Sequence, residues 1–232
     1  MQKIKVKELV EFHRKLTEKS KKNFALKLKT RIPKEKKKTE EDSGGGDYWT
    51  TSTSCIYQVF KQDNKNLLDY KINDLTNRLL ATDQKKTKSM YQKNIDILIA
   101  FKDFNHKDVL PNSNVNTEKI PRGKKILTIR GFPIEVTPQY VYSFQHKDKL
   151  YAGAVWLLPQ KNGYKKSELS MFCEMLYRSL KENFSDNFQI STDNCVVIDT
   201  YNVQTLSYSE FLSDNYSQLI ESTLEEIEKL IQ

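Results

Sequence analysis

The sequence predicts an α+β protein in which a helical N-terminal half is followed by a core built on a mixed sheet. Three observations support this prediction. Apolar residues recur at three- and four-residue intervals through most of the first 104 residues. After Pro121 the chain changes to short runs rich in β-branched and aromatic residues, separated by glycine and proline. The last part alternates a helical pattern, a buried strand pattern and a second helical pattern.

The sequence of the N-terminal half predicts helices with one interruption. An amphipathic helix is expected over residues 3–22 from the near-helical spacing of Ile4, Leu9, Val10, His13 and Leu16. Residues 32–46 combine a lysine cluster, an acidic triplet and three glycines, a composition typical of a flexible linker. Helical spacing then resumes. We therefore expect a helical region over residues 1–104 and a second domain over residues 105–232.

The sequence of the second domain predicts five strands and two helices in a mixed-sheet core, in the order strand, strand, strand, strand, helix, strand, helix. Its first four strand candidates are the β-rich runs over residues 125–131, 132–138, 140–144 and 150–158. The last of these is apolar on both faces, which is typical of a central strand. A helix is expected after Ser167, followed by a fifth, buried strand over residues 195–199. The pattern Ser207 to Glu210 has the form of a capping box and predicts the start of a final amphipathic helix.

Composition excludes several classes of protein. Hydrophobic residues at 38% and aromatic residues at 11% are too many for a disordered chain. No apolar run approaches the roughly 18 residues of a membrane span, so we expect no membrane partner. Three widely spaced cysteines and three distant histidines predict neither a disulfide framework nor a zinc motif. No apolar segment follows the first positive charges, so a cytoplasmic protein without a secretory signal is expected.

The net charge of +8 is unevenly distributed. Residues 1–40 hold fifteen Lys or Arg against five Glu, whereas residues 183–232 hold one Lys against nine acidic residues. A basic arm of this kind suits a phosphate backbone, where each neutralised phosphate releases counterions. It is equally consistent with a basic helix that packs near the acidic terminal helix and neutralises it. The sequence leaves both interpretations open.

Residues 120–207 carry a resemblance to a known fold. They combine a hairpin-rich sheet, a central strand leading from Gly153 to Lys161, a helix after that strand and a buried strand that ends in Asp199. This arrangement resembles the core of the PD-(D/E)XK nuclease-like superfamily. Three segments are also similar to an uncharacterised group of bacterial proteins, namely Pro138–Phe144, Ala152–Trp156 and Val196–Asp199.

The resemblance implies a degenerate catalytic site. In active members, acidic residues hold divalent cations that activate water, and a lysine assists at the nucleophile. Here Gln139 follows Pro138, and Ala154 and Trp156 stand where the second acid and the lysine are expected. We expect no metal site from these residues, because magnesium prefers carboxylate oxygens. Trp156 is interpreted as a core aromatic residue and Asp199 as a turn or cap residue.

The leading functional hypothesis is therefore a catalytically degenerate nuclease-like protein of the bacterial cytoplasm. It would bind nucleic acid or serve a nucleic-acid-processing assembly, such as a defence or mobile-element system, with no cofactor. Nucleic-acid contacts are expected from Lys124, Lys125, Arg130, Lys161, Lys165 and Lys166. One alternative is an active magnesium-dependent nuclease with migrated catalytic residues, for which Glu135 and Lys161 are the candidates. Another is an adaptor subunit that pairs with a partner protein or a second copy.

Overall fold

The computed structural model describes residues 2–32 and 48–231, and it confirms the α+β class. The helices of this part of the chain are α1 (Val6–His13), α2 (Glu18–Thr30), α3 (Thr50–Gln62), α4 (Asn66–Ala81), α5 (Lys85–Lys102), α6 (Lys166–Phe184), α7 (Tyr208–Ser213) and α8 (Leu219–Ile231). The strands are β1 (Ile4–Lys5), β2 (Val115–Glu118), β3 (Ile126–Ile129), β4 (Phe132–Glu135), β5 (Tyr140–His146), β6 (Lys149–Leu158), β7 (Gln189–Asp199) and β8 (Gln204–Ser207). Apart from exposed Ile32, the predicted linker at residues 32–46 lies outside the described residues.

The larger sheet has the strand order β2–β5–β6–β7–β8, with β6 at its centre as predicted. Strand β6 pairs antiparallel with β5 and parallel with β7, and α6 connects the two parallel strands. A smaller sheet has the order β1–β4–β3, in which β1 is parallel to β4. Within the described residues, no helix is both long enough and apolar enough to cross a bilayer.

Helices cover both faces of the larger sheet, because β6 and β7 are apolar on both faces. Successive side chains of a strand point to opposite faces. Val155 and Leu157 of β6 therefore join an apolar cluster with α3, α4 and α5. Ala154 and Trp156 join a second cluster with α1, α2, α6 and α8. Residues from both sides of the predicted boundary at residue 104 contribute to each cluster, and the boundary itself stays a prediction.

The predicted helix over residues 3–22 is wrong. Residues Ile4–Lys5 form β1, and a break at residues 14–17 separates α1 from α2. The break is stabilised by Thr17, whose hydroxyl caps α2 by accepting a hydrogen bond from the Ser20 N–H at 3.2 Å. Leu16, which belonged to the predicted apolar face, lies in this break and is 98% exposed.

The C-terminal prediction holds in part. The capping box at Ser207 and Glu210 is confirmed, with the Ser207 hydroxyl accepting from the Glu210 N–H at 3.2 Å. It begins the short helix α7 rather than a continuous terminal helix, since α8 starts only at Leu219. The predictions also missed β1, β2 and β8, each of which has four residues or fewer.

The basic N-terminal segment and the acidic C-terminal helix contact each other. Helix α2 packs on α8, and the Lys21 ammonium lies 2.6 Å from the Glu226 carboxylate. The Lys29 ammonium donates to the carbonyl of Ile231 at 2.7 Å. Part of the N-terminal charge is therefore neutralised within the fold, as the second interpretation of the charge pattern expected.

The burial of α1 predicts that this helix is essential to stability. Phe12 is fully buried in the cluster that includes α6 and α8. Phe12→Ala should therefore lower the free energy of unfolding by about 3–5 kcal/mol in urea denaturation. Leu16→Ala, at an exposed position two residues beyond α1 and its C-cap, should change it by about 0.5 kcal/mol or less. Equal, small effects of both substitutions would show that α1 is peripheral to the core.

Candidate functional site

Gln139 marks the candidate site, at the end of the larger sheet where β5 begins and β6 ends. Its side-chain oxygen Oε1 accepts a hydrogen bond from the Leu157 N–H at 2.7 Å. The amide thus bonds to the backbone of the neighbouring strand at the end of the β5–β6 ladder, which pairs Tyr140 with Val155. Two clefts meet at this residue, since Gln139 contributes to the lining of both.

The first of these, the aromatic cleft, has a volume of about 470 Å³. Its apolar lining includes Trp49, Trp156, Leu158, Tyr164 and Phe172, and its polar lining includes Lys5, Lys7, Glu135, Thr137 and Gln139. The Trp156 and Phe172 rings meet edge to face, with centroids 5.4 Å apart. Trp156 is only 6% exposed, so it is a core residue, as predicted, and it also lines the cleft.

The second, the basic cleft, has a volume of about 290 Å³. It is lined by three cations, Lys119, Arg122 and Lys125, together with Tyr57 and Glu118. Within the described residues, none of the three cations has a carboxylate within ion-pair distance. The Glu118 carboxylate is engaged elsewhere, because it accepts a hydrogen bond from the Ser143 hydroxyl at 2.7 Å.

The loop after β6 forms one wall of the aromatic cleft, and Asp199 holds it in place. Its carboxylate accepts hydrogen bonds from the Tyr164 N–H at 2.9 Å and the Tyr201 N–H at 3.0 Å. The predicted role of Asp199 as a turn residue is therefore confirmed. Gly163 adopts a φ of +68°, and a side chain there would meet Asn202 and the Asp199 carboxylate. Only glycine fits this position without strain.

Arg14 and Glu168 join α1 to the same wall. The guanidinium donates Nε–H to Oε1 at 2.5 Å and Nη2–H to Oε2 at 2.6 Å, and it also lies over the Tyr164 ring. Glu168 is 5% exposed. Burial alone would raise the pKa of its carboxyl, but the hydrogen bonds from Arg14 and the Lys165 N–H outweigh burial and leave that pKa below its ordinary value.

The residues present do not fit the divalent metal site that the resemblance implies. Gln139 already uses its only side-chain acceptor on Leu157, and the methyl group of Ala154 is fully buried. Glu135 forms an ion pair with Lys3. Residues 2–32 and 48–231 contain no group of three His, Cys, Asp or Glu side chains placed to hold a metal ion. Carboxylate oxygens, which magnesium prefers, are therefore not gathered here.

The sequence-predicted residues divide into those at the clefts and those elsewhere. Glu135 lines the aromatic cleft, whereas Lys161 lies in an exposed turn and lines neither cleft. Lys125 lines the basic cleft, and exposed Lys124 precedes it in the chain. Arg130 is engaged by α8, since its guanidinium lies 2.8 Å from the Glu228 carboxylate.

Two further predicted cations lie near the start of α6. Lys165 and Lys166 are both exposed, and neither lines either cleft. The Lys165 N–H donates to Glu168 at 2.8 Å as part of the N-terminal cap of α6. Their position explains the lysine cluster as the solvated first turn of this helix.

Sequence reasoning missed most of the residues that line the clefts. These are Lys5, Lys7, Trp49, Tyr57, Lys119 and Arg122. Lys119 and Arg122 flank Pro121 directly after the unpredicted strand β2, so recognising β2 would have indicated them. Lys5 reaches the site through the pairing of β1 with β4, and Trp49 and Tyr57 reach it through the packing of α3 and its N-cap. No family model, curated protein or solved structure matches the chain, so its chemistry is inferred from these residues.

The Arg14–Glu168 pair predicts pH-dependent stability. Arg14→Met should lower the free energy of unfolding by about 1.5–3 kcal/mol at neutral pH, because a buried carboxylate loses its charged donor. The pKa of Glu168 is lower in the folded state than in the unfolded state. Its stabilising contribution is therefore complete above the unfolded pKa of about 4.3 and is lost as the pH falls through the folded pKa.

Urea unfolding between neutral and acidic pH tests this prediction. The difference in stability between the wild-type protein and Arg14→Met should narrow in acid. Lys19→Met removes a charge from an exposed position on α2. This variant should have the same free energy of unfolding as the wild-type protein at every pH. A difference for Arg14→Met that stays constant with pH would argue against a charged pair.

The lack of a fitting donor set predicts that the protein does not cleave nucleic acid. Single- and double-stranded DNA and RNA should stay intact with magnesium or manganese, as judged by gel analysis of end-labelled substrates. Glu135→Ala and Lys161→Ala are the controls, because these residues are the candidate substitutes for a catalytic acid and lysine. Cleavage by the wild-type protein that disappears in both folded variants would establish the nuclease alternative.

Proposed function

We propose that this protein binds nucleic acid, without hydrolysing it, along the two clefts that meet at Gln139. The observation that carries the proposal is the group of three cations in the basic cleft, which have no carboxylate within ion-pair distance among residues 2–32 and 48–231, next to a site whose residues do not fit a metal. The setting that the resemblance implies, a bacterial defence or mobile-element assembly, belongs to this proposal.

The charges of the clefts favour a polyanion. Lys119, Arg122 and Lys125 lie within seven consecutive residues and share one cleft, so they suit several phosphates of one backbone. Lys5 and Lys7 add positive charge on the other side of Gln139. The two carboxylates in the linings are both engaged, Glu118 with Ser143 and Glu135 with Lys3. The Lys3 ammonium neutralises Glu135, whereas Glu118 keeps its charge and is outnumbered by the three cations of the basic cleft.

The same observations distinguish this proposal from its alternatives. A nuclease with migrated residues would need Lys161 at the site, yet Lys161 lines neither cleft. The adaptor hypothesis depended on a basic arm and an acidic terminal helix that were available to a partner. Lys21 and Glu226 pair with each other within this chain, so part of those charges is already satisfied.

The proposal predicts salt-dependent binding that depends on the basic cleft. Fluorescence anisotropy with a labelled mixed-sequence oligonucleotide should show affinity that falls steeply between low and moderate salt. Arg122→Gln combined with Lys125→Gln should weaken binding at every sequence and reduce the slope of log affinity against log salt by about 2, one for each lost phosphate contact.

Two lysines at the opposite end of the sheet provide the matched control. Lys147 lies in the exposed turn between β5 and β6 and exposed Lys149 is the first residue of β6, whereas Gln139 precedes the start of β5. Lys147 has a positive φ, so Lys147→Asn with Lys149→Gln removes the same charge while retaining a residue that tolerates this backbone. Equal losses in both double variants, or binding that is absent at low salt, would contradict the proposal.

A further inference from the structure

We infer that the aromatic cleft takes one unpaired nucleobase, so that the preferred ligand is a single strand. The inference rests on the proposed function and deepens it, by adding a base site to the phosphate contacts of the basic cleft. Gln139 lines both clefts, so a base in one and its neighbouring phosphates in the other would lie side by side.

The Gln139 amide has a fixed orientation. Only its oxygen can accept the hydrogen bond from the Leu157 N–H, so the NH₂ group must point the other way. The two N–H donors of this amide are thereby directed away from the β6 backbone, at the junction of the two clefts. An acceptor on the edge of a base, such as a carbonyl oxygen of thymine or uracil, is the complementary group.

In this inference the base packs against the indole of Trp49, which lines the cleft and whose ring meets the Tyr48 ring edge to face with centroids 5.0 Å apart. The backbone at Trp49 is held firmly, because its carbonyl accepts hydrogen bonds from the Thr53 N–H, the Thr53 hydroxyl and the Ser52 hydroxyl at 3.0–3.1 Å. Buried Asn94 fixes the same turn by accepting from the Ser52 N–H and donating to the Tyr48 carbonyl, both at 2.9 Å. The indole is therefore attached to a preorganised backbone, which lowers the entropic cost of binding.

The size and the apolar part of the lining of the aromatic cleft suit a base, and Lys5 and Lys7 of the same cleft suit the phosphates beside that base. Its volume of about 470 Å³ lies in the range of about 300–1,000 Å³ that is typical of small-ligand sites. Its floor is formed by Trp156, Phe172 and Leu158, which offer no charge to an anion. Base stacking on aromatic residues is favourable for any base.

A paired base cannot enter such a cleft without leaving its helix. Extrusion from a duplex costs a few kcal/mol of stacking and pairing, a cost that a single strand does not incur. The cleft therefore discriminates against duplexes, even though both forms carry the same phosphates.

The test compares three labelled ligands of equal length by anisotropy at low salt. These are a single strand of thymidylate, the same backbone with abasic sites throughout, and a duplex. The thymidylate strand should bind about tenfold or more tightly than the abasic strand. Equal affinity for these two strands would overturn the inference and leave the proposed function intact. No binding of any of the three would overturn the proposed function itself.

Variants at the cleft identify the site. Trp49→Ala should reduce affinity for thymidylate about fivefold or more and leave affinity for the abasic strand unchanged, whereas Trp49→Phe should retain most of the binding. Gln139→Glu retains the acceptor for the Leu157 N–H and removes the two N–H donors of the amide. The variant should therefore lose more affinity for thymidylate than for the abasic strand. Tyr70→Ala, at an exposed aromatic residue on α4, should change neither affinity.

Thermal unfolding is measured for each variant, so that a loss of folding is separated from a loss of binding. A folded Trp49→Ala variant that binds thymidylate as tightly as the wild-type protein would overturn the inference.

Discussion

The parallel pairing of β6 with β7 is the constraint on which the rest of this structure depends. Both strands are apolar on both faces where they pair, from Ala154 with Cys195 to Leu157 with Ile198. Each face must therefore be covered by helices. One cover consists of α3, α4 and α5, and the other of α1, α2, α6 and α8. The N-terminal helices are divided between the two faces because neither face can be left exposed to water.

The same constraint explains what could be predicted from the sequence. The apolar pattern on both faces of residues 150–158 and 195–199 identified the two central strands, because such short runs bounded by turn residues are typical of strands buried on both faces. Strands β2 and β8 are short and lie at the edges of the larger sheet. Each of them pairs with one neighbouring strand only, so fewer of its residues need to be apolar. Their polar residues, such as Asn116 and Gln204, gave no strand signal.

The candidate site was predictable at its centre and not at its rim. Gln139, Ala154 and Trp156 were identified because they interrupt a pattern of charged residues that the resemblance led us to expect. Lys5 belongs to β1, which pairs with β4 about 130 residues later, and Trp49 is the N-cap of α3, 90 residues before Gln139. Local spacing does not encode contacts at such separations. The short strand at the start of the expected helix over residues 3–22 was missed for a related reason. The pairing of Ile4 with Ile134 removes the start of the expected helix from helical geometry.

The contact of α2 with α8 has a consequence for the time course of folding. Lys21 and Glu226 are separated by 205 residues in the chain, and Ile4 pairs with a strand about 130 residues later. These contacts close long loops of the chain. The conformational entropy of each loop is lost before the contacts that close it can stabilise the fold. During synthesis, the apolar face of α1 has no complete partner until α6 and α8 have been made. Helix α1 leaves the ribosome before α6 and α8 and reaches its native environment only after they have been made, so its apolar face is exposed to aggregation in the interval.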